Sequence, residues 1–413
     1  MSPSPTRQPF RFPRELYLAA FMAGVVDALL VFYLPLHLYR NLQERRLIIV
    51  GLVVALPQFS VFVASNLWGA LGDQWRRLKP LVLIGVGGYA AMLTALAWAH
   101  TSGAVLWLAF LGAVVHSAFK PAGLSYVTLL EPERKGHALA ALMRTQSVGW
   151  MCGNLGCLAL IEMFGWRAMN WALGTAGAVA AVIFAVVAWL MPEVDPAEFA
   201  RHAPGAGPPA AEEAPRGFWR DLAALYETPA LLWISAVWFF TTAARWLFYT
   251  FFTILFTDQM HGAVRVVGVA SGCSALAGIV FYGAAGRWVD RHGARPVLLG
   301  AVLGYAVYFL VNIFLTQPYV VAALFVIPIY PAFVVAGNTM VASVVGPGQR
   351  AGGLGVVTGT EAVGAVAGAL AGGWAGDRFG VGITPLAATL LAAVALLLAA
   401  VSLRKPVAAD SRP

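Results

Sequence analysis

Six ionisable residues lie inside the long apolar stretches of this 413-residue sequence. They are Asp27, His116, Lys120, Arg144, Arg245 and Glu361. A charged side chain at the centre of a bilayer costs about 3 kcal/mol or more, so such a residue faces a wet cavity or pairs with a partner. A buried carboxylate also exchanges protons readily, because burial disfavours its charged form. These residue types therefore indicate a site that binds protons and charged groups.

We expect most of these residues to form two pairs across neighbouring helices. Asp27 is predicted to pair with Lys120, which shares a helix face with His116 because the two are four residues apart. Arg245 is predicted to pair with Glu361, and one of the two carboxylates would carry the proton. The alternative is a set of static pairs that only hold helices together, with His116 as a packing residue.

The composition indicates the environment of these charges. The chain is 60% hydrophobic and only 11% charged, whereas a soluble domain carries roughly a quarter charged residues. A transmembrane helix needs about 20 mostly apolar residues. The apolar stretches predict an all-α membrane protein with twelve transmembrane helices. These are placed at 15–40, 46–71, 80–100, 104–130, 137–162, 167–190, 229–257, 264–286, 295–316, 318–345, 351–375 and 381–403.

The positive charges predict how these helices cross the membrane. Most of the 27 Lys and Arg residues fall in turns on the side of both termini, and cytoplasmic loops are the ones enriched in these residues. We therefore expect both termini in the cytoplasm and the protein in the cell's inner (plasma) membrane. Arg144 lies near one end of its helix, where its long side chain can reach the membrane surface. The net charge of +8 is spread over these turns, which argues against a nucleic-acid-binding module.

A long polar stretch divides the chain in two. Residues 192–228 are rich in Pro, Ala and Gly and predict a flexible linker that ends in a short interfacial helix near 218–225. The linker separates an N-terminal six-helix bundle, residues 1–191, from a C-terminal bundle, residues 229–413. Residues also repeat between the halves in the same order, which is typical of secondary transporters. Phe32 and Tyr33 match Phe248 and Tyr249, and Gly149 and Gly153 match Gly364 and Gly368.

Several classes of protein lack support in the sequence. There is no phosphate-binding G-x-x-x-x-G-K-[ST] loop, no G-x-S-x-G and no H-E-x-x-H, so neither an ATP-driven pump nor a membrane hydrolase is expected. Cys152, Cys157 and Cys273 lie in apolar stretches without the spacing of a zinc site. We expect no enzyme activity, no metal and no cofactor. A sensory membrane protein is the alternative class, although the chain has no added soluble domain to carry a signal.

Two loop motifs resemble the signature of a known family. The segment GALGDQWRRLK, from Gly69 to Lys79, is similar to the G-x-L-x-D-R-x-G-R-R loop of the major facilitator superfamily. A second copy, GRWVDRHGAR, runs from Gly286 to Arg295. The resemblance implies the fold of that superfamily, in which two pseudo-symmetric six-helix bundles surround a central path. It also implies a secondary transporter that works by alternating access.

The resemblance further implies a latch on the cytoplasmic side. Asp73 would engage the start of helix 11 near Arg350, because a helix start stabilises a carboxylate. By the repeat, Asp290 would engage the start of helix 5 near Arg134. These contacts would hold the inner side shut and favour the outward-facing state; the alternative is that the charges only mark topology. The predicted latch residues are Gly69, Asp73, Arg77, Arg134, Gly286, Asp290, Arg291, Arg295 and Arg350.

The residues predicted around the central path bear on the substrate. Apart from His116 they include three cations and two carboxylates, an excess that favours a substrate with an acidic group. The aromatic residues expected to line the cavity suit an amphipathic or ring-bearing substrate. They are Tyr33, Trp246, Tyr249 and Tyr330. Gly149 and Gly153 also resemble part of the helix 5 motif of drug–proton antiporters, although Asn154 replaces its proline.

We therefore predict a proton-coupled transporter that exports amphipathic or drug-like small organic molecules. The alternative is proton symport that takes up an organic anion or another small metabolite. The expected partners are a small-molecule substrate, protons and the lipid bilayer. The protein is expected to be a monomer that binds no nucleic acid.

Overall fold

The computed structural model describes residues 14–75, 77–130, 135–165, 168–193, 229–344 and 350–402. Twelve helices within these ranges are long and apolar enough to cross a membrane, which confirms the predicted number. The first six are α1 Arg14–Arg40, α2 Leu47–Trp75, α3 Leu78–Ala97, α4 in the two segments Ser102–His116 and Phe119–Leu130, α5 Lys135–Phe164 and α6 Ala168–Leu190.

The other six helices follow the linker and repeat the same order. They are α7 Pro229–Gln259, α8 Val264–His292, α9 Ala294–Phe314, α10 in the two segments Pro318–Phe325 and Ile329–Val344, α11 Arg350–Phe379 and α12 Thr384–Ser402. The largest difference from the predicted bounds is at the end of α8, predicted at 286. Hydropathy falls there, but the helix continues to Gly293, whose positive φ of 83° ends it.

Prolines divide two of the helices where the sequence analysis expected continuous ones. α4 is interrupted at Ser117 and Ala118, because Pro121 has no N–H for the Ser117 carbonyl and its ring crowds that oxygen. α10 is interrupted ahead of Ile329, where Pro328 has the same effect. The helix-face argument for His116 and Lys120 therefore fails, since the α4 break lies between them.

Glycines bring corresponding helices of the two halves into the same close contact. In the first half, a Cβ at Gly149 of α5 would overlap the carbonyl oxygen of Phe21 in α1. In the second half, a Cβ at Gly364 of α11 would lie 2.9 Å from the carbonyl oxygen of Phe239 in α7. Small residues allow backbones to approach this closely in membrane helices. One turn further along, Gly153 meets Val25 and Gly368 meets Ala243. The predicted repeat is therefore present in the packing.

The two bundles meet along a seam formed by α2 with α11 and by α5 with α8. We call the helix ends opposite to the chain termini the distal ends. In the described structure the contacts across the seam run from the middle of the helices to these distal ends. At the distal end of α2, a Cβ at Gly373 would lie 2.7 Å from Ile48 Cα. On the other side of the seam, a Cβ at Gly272 would lie 3.2 Å from Leu155. The described structure is therefore closed on its distal side.

Large apolar side chains remain exposed around the outside of the bundles. Trp189, Phe314 and Trp107 are each more than half exposed. Large apolar side chains exposed on several helices are typical of a surface that faces lipid. Together with the twelve spans, it describes a multi-pass membrane protein.

Candidate functional site

Asp27 lies on α1 beside a small cavity between α1, α2 and α4. Its Oδ2 accepts a hydrogen bond of 3.0 Å from Gln146 Nε2 on α5. The cavity of about 40 Å³ is lined by Asp27, Gln58 and His116 together with apolar side chains. A cavity of this size with polar walls has room for water. A carboxylate therefore borders a water-sized space deep in the first bundle.

The partner of Asp27 is an amide and not the predicted lysine. Lys120 is exposed, and no ion pair joins it to Asp27 in the part of the chain that the structure describes. The reason is packing: a Cβ at Gly24 would overlap the Gln146 carbonyl oxygen, so α5 lies directly against α1. The α4 break has also moved Lys120 out of the helical register assumed for it. The predicted direct ion pair of Asp27 with Lys120 is therefore absent in this conformation, although the lysine charge is close enough to act on the carboxylate.

His116 occupies the other wall of the same cavity. It is only 6% exposed, and its ring stacks on Tyr89 with the centroids 4.6 Å apart. Its Nε2 is buried and has no hydrogen-bond partner among the described residues. His116 is therefore packed through its ring while one nitrogen remains available to a water molecule. Arg144, by contrast, is exposed on α5.

The second bundle contains the other predicted pair. Arg245 Nη1 on α7 lies 3.9 Å from Oε1 of Glu361 on α11, so the predicted pairing of these two residues is present. The guanidinium carbon lies 4.2 Å from the ring centroid of Tyr330 and 5.6 Å from that of Tyr305. Such distances are typical of cation–π contacts. Tyr330 also donates a long hydrogen bond of 3.4 Å to Glu361 Oε1.

The two pairs occupy corresponding places in the two halves. The glycine contacts align Phe21 with Phe239 on α1 and α7, and Gly149 with Gly364 on α5 and α11. This packing register matches Asp27 with Arg245, and Gln146 with Glu361, whereas the sequence register that pairs Phe32 with Phe248 would set Asp27 against Ala243. The sequence analysis missed Gln146. The signal was available, because Gln146 precedes Gly149 by the same three positions that separate Glu361 from Gly364.

An aromatic floor closes the space distal to both pairs. It consists of Phe32, Trp150, Tyr249, Phe252 and Phe325. Phe32 of the first half lies with its centroid 6.1 Å from that of Phe325 in the second half and 5.9 Å from that of Trp150. Phe325 in turn lies 5.4 Å from Tyr249 and 4.8 Å from Phe252. The floor therefore joins α1 and α5 to α7 and α10.

The predicted aromatic lining is distributed unevenly. Tyr249 belongs to the aromatic floor, and Tyr330 contacts the Arg245 guanidinium. Tyr33 is 3% exposed, and its hydroxyl donates 2.7 Å to the Asn154 carbonyl, so it is part of the α1–α5 packing and not of the lining in this conformation. Trp246 is partly buried against the hydrophobic core.

Three polar contacts, which we call the distal ties, join the halves at the closed end. Arg40 pairs with Asp258 between the ends of α1 and α7. Arg265 Nη1 lies 3.1 Å from Glu162 Oε1 between α8 and α5. The third tie is Asp377 near the end of α11, whose carboxylate accepts hydrogen bonds of 2.5 and 3.0 Å from the backbone N–H groups at the start of α2. These N–H groups belong to Leu47 and Ile48.

Comparison with known proteins identifies the family. The family model described as Major Facilitator Superfamily matches residues 16–255 and 234–413. The chain belongs to the major facilitator superfamily. Its identity as a transporter and not an enzyme follows from this membership, and the predicted fold class is confirmed.

Two solved structures of superfamily transporters share the fold. The nucleoside transporter NupG aligns with a TM-score of 0.74 at 15% identity, over 95% of this chain and 98% of that chain. A bacterial homologue of the human lysosomal transporter Spinster, in an inward-facing and unoccupied conformation, aligns with a TM-score of 0.76 at 15% identity, over 96% of this chain and 98% of that chain. At this identity the likeness concerns the fold.

One curated relative is similar in sequence. Over 255 residues the chain is 29% identical to a chloramphenicol resistance protein of Streptomyces lividans. The match spans 59% of this chain and 57% of that relative's length.

The superfamily loop motifs are only partly described. The surroundings of Gly69, the side chains of Asp73 and Arg350, and all of Arg134 lie outside the described part of the chain. Of the others, Arg77 pairs with Glu193 at 3.5 Å, Asp290 and Arg291 are exposed, Arg295 is partly buried, and a Cβ at Gly286 would meet nothing within 4 Å. The cytoplasmic latch therefore stays a prediction. The interfacial helix expected near 218–225 also lies outside the described residues.

No group of three or more potential metal ligands occurs among the described residues. The three cysteines form no disulfide with one another. The polar chemistry of the described site thus rests on the Asp27 and Arg245 clusters.

Proposed function

We propose that this superfamily member is a proton-coupled transporter that exports small amphipathic organic molecules across the inner membrane, with Asp27 carrying the proton. The observation that supports this most is the partner of Asp27. A neutral amide holds the carboxylate, and no cation pairs with it among the described residues. The charged form at this depth costs about 3 kcal/mol or more, whereas the protonated form keeps an acceptor for Gln146. Proton binding is therefore favoured there.

The cavity beside Asp27 supports a route for that proton. It holds about 40 Å³ between Asp27 and His116, enough for water. A water molecule in this space can donate to His116 Nε2, which has no partner within the described part of the chain. We propose that His116 positions this water and that Asp27 gains and loses the proton through it.

The export direction is supported by the chloramphenicol resistance relative, whereas the charge bias of the loops supports the orientation in the membrane. We propose that both termini lie in the cytoplasm, since most Lys and Arg fall on their side. The distal side is then the outside of the cell, and a conformation closed there is inward-facing. A substrate would enter from the cytoplasm in this state, and proton binding in the outward-facing state would drive the return.

Proton symport of an organic anion is the second candidate. The Arg245 cluster favours it, because a buried guanidinium attracts an acidic group. A vesicle assay with opposite pH gradients separates the two. In export by antiport, the substrate accumulates against inward proton flow; in symport, substrate and protons move together.

Replacement of Asp27 tests the proposal directly. In everted membrane vesicles, chloramphenicol is expected to release a pre-formed proton gradient in the wild type. Asp27→Asn should lower that proton release about tenfold or more, because it removes the titratable group from the bilayer interior. The readout is a pH-sensitive fluorescent dye.

Glu44→Gln provides the matched control for this experiment. Glu44 lies in the loop between α1 and α2, and its carboxylate accepts from the Arg46 side chain at 3.0 Å. This variant should retain the wild-type proton flux. Undiminished flux in Asp27→Asn would remove Asp27 from the mechanism. No flux with chloramphenicol or with any member of a drug panel would contradict the export proposal.

A further inference from the structure

The guanidinium of Arg245 has fewer partners than its burial requires. Its side chain is 13% exposed, and its Nε and Nη1 have no hydrogen-bond acceptor among the described residues. The 3.9 Å to Glu361 Oε1 exceeds the 2.7–3.2 Å of an N–H···O hydrogen bond. A buried donor left without an acceptor destabilises the protein, because it has lost its hydrogen bonds to water. The cluster is therefore arranged so that an additional acceptor would stabilise it.

Tyrosine rings hold the guanidinium in place without using its donors. Tyr330 lies 4.2 Å and Tyr305 5.6 Å from the guanidinium carbon. A tyrosine ring offers the cation its π face and no acceptor oxygen, and Nε and Nη1 of Arg245 have no hydrogen-bond partner among the described residues. The position of Arg245 is thus fixed while its hydrogen-bonding edge stays available.

The cluster lies close to the seam between the halves. Tyr249, one turn along α7 from Arg245, contacts Phe325 of the aromatic floor, and Phe325 contacts Phe32 of the first half. The Glu361 side chain is 30% exposed, so the cluster opens to its surroundings on the Glu361 side. A molecule in the central path can therefore reach Arg245 by taking the place of the Glu361 carboxylate.

We propose that Arg245 binds an oxyanion group of the transported molecule, in the first instance a carboxylate carried on an aromatic compound. The guanidinium would donate to the carboxylate, while Tyr330 and Tyr249 would contact the ring of the ligand. Glu361 then occupies the site when the substrate is absent and gives it up when the substrate binds. This inference rests on the proposed function for its ligand, but it depends neither on the direction of transport nor on the role of Asp27.

Competition by Glu361 predicts that the Glu361 and Arg245 variants change the affinity for an aromatic acid in opposite directions. Because both carboxylates seek the same cation, Glu361→Gln should strengthen binding of an aromatic acid, by about threefold or more. Arg245→Gln should weaken it about tenfold, since a charge-assisted hydrogen bond contributes about 1.5–3 kcal/mol. A purely structural role of the pair predicts that both variants impair binding.

The experiment uses the purified full-length protein in detergent. The probes are 4-nitrobenzoate, 3-phenylpropionate and 2-naphthoate, each compared with its primary amide. Affinity is measured by thermal stabilisation and by quenching of tryptophan fluorescence. At least one acid should bind about tenfold more tightly than its amide in the wild type. Arg245→Gln should remove this preference, and Arg245→Lys, which keeps the charge but not the planar fork, should retain part of it.

Several outcomes would overturn the proposal. They are equal binding of acids and amides, no binding by any acid, an unchanged preference in Arg245→Gln, and weaker acid binding in Glu361→Gln. If Arg245→Gln fails to fold, Arg245→Lys and Glu361→Gln decide the matter. Glu44→Gln is the control and should behave as the wild type. If the acid preference is absent while chloramphenicol still releases the proton gradient, the export proposal is kept and the Arg245 proposal is rejected. If the acid preference is present while no drug releases the gradient, the Arg245 proposal is kept and the export proposal is rejected.

Discussion

At the scale of single residues, corresponding positions in the two halves carry side chains of opposite charge. Asp27 and Arg245 correspond in the packing of α5 on α1 and of α11 on α7, and their partners Gln146 and Glu361 correspond as well. In the first half an acid meets a neutral amide, whereas in the second half a base meets an acid. The first arrangement favours a change of protonation, because no cation forms a direct ion pair with the acid among the described residues. The second keeps a permanent cation in place.

The Gln146 amide gives a prediction at this scale. Gln146→Ala removes the hydrogen bond to Asp27, which is worth about 0.5–1.5 kcal/mol, so proton-coupled flux should fall about fivefold. The flux is measured in vesicles at several pH values. Ser147→Ala on the same helix is the control, because the Ser147 hydroxyl bonds to the Met143 carbonyl of its own helix. Equal flux in the two variants would contradict the assigned role of Gln146.

Residue types located the site, but they did not give every partner. The cost of burying charge identified Asp27, Arg245 and Glu361 from the sequence, and the Arg245–Glu361 pairing was also predicted. The structure places the Gln146 amide, and not the predicted lysine, within hydrogen-bonding distance of Asp27, because the glycine contact between α1 and α5 brings these two residues together. Gln146 carries no charge, so a search for ionisable residues in the apolar stretches does not find it.

At the scale of elements, glycine-lined crossings set the distance between helices. α5 packs on α1 and α11 on α7 with almost no room for a Cβ at the contact. Since the polar pairs lie beside these crossings, the spacing of the backbones fixes the distance across each pair. The crossings therefore support both stability and site geometry.

Two glycines on α5 test this dependence. Gly149→Ala should destabilise the protein by about 1–3 kcal/mol, because the added methyl group overlaps the Phe21 carbonyl and forces the helices apart. Thermal unfolding in detergent should show a lower midpoint. Gly156→Ala is the matched control, since a Cβ at Gly156 meets nothing within 4 Å. Equal midpoints for the two variants would show that the crossing tolerates a side chain.

The Asp377 tie gives a second prediction for elements. Its carboxylate caps the start of α2, where free N–H groups and the helix dipole favour a negative charge. Asp377→Asn should weaken the closed distal side by about 1 kcal/mol and shift the population toward the distal-open state. Distances between spin labels on the distal ends of α2 and α11 measure this shift. A distance distribution identical to that of the wild type would count against the tie.

Hydropathy predicted the number of helices, but the prolines did not show where helices are interrupted. All twelve helices were predicted, because membrane solvent demands about 20 apolar residues in each. The interruptions of α4 and α10 were not, although Pro121 and Pro328 were visible. Whether a proline divides a membrane helix depends on what neighbouring helices offer to the freed carbonyl, and this information lies outside the local sequence.

At the scale of the whole molecule, one end is closed by three polar ties together with the packing of α2 on α11 and of α5 on α8. The Glu162–Arg265 pair is exposed and contributes about 0–1 kcal/mol. A closed state held by several small contributions can open in a transport cycle without a large barrier. The repeat in the sequence predicted two bundles, but the end at which they meet was not predictable from it. Both end states of alternating access belong to the same chain, and they differ by small free energies.

A cysteine pair across the seam tests the need for distal opening. After replacement of the three native cysteines, Leu155→Cys and Gly272→Cys should form a disulfide on oxidation, because a Cβ at Gly272 would lie 3.2 Å from Leu155 Cγ, the position near which the sulfur of a cysteine at 155 would lie. The cross-linked protein should lose nearly all exchange of substrate, and a reductant should restore it. Exchange that continues at the wild-type rate in fully cross-linked protein would contradict alternating access through this seam. The single Leu155→Cys variant controls for the oxidant.

The capping of α2 by Asp377 also bears on which mutations the first two residues of α2 can accept. The carboxylate accepts hydrogen bonds from the main-chain N–H groups of Leu47 and Ile48, so these bonds do not depend on which side chains the two residues carry. A saturation library should therefore accept many apolar replacements at these two sites and reject proline, which has no amide hydrogen to offer. At position 377, by contrast, most replacements should be rejected, because the side chain itself must accept the hydrogen bonds. Glutamate and asparagine, which keep an acceptor oxygen, should be the best-accepted replacements.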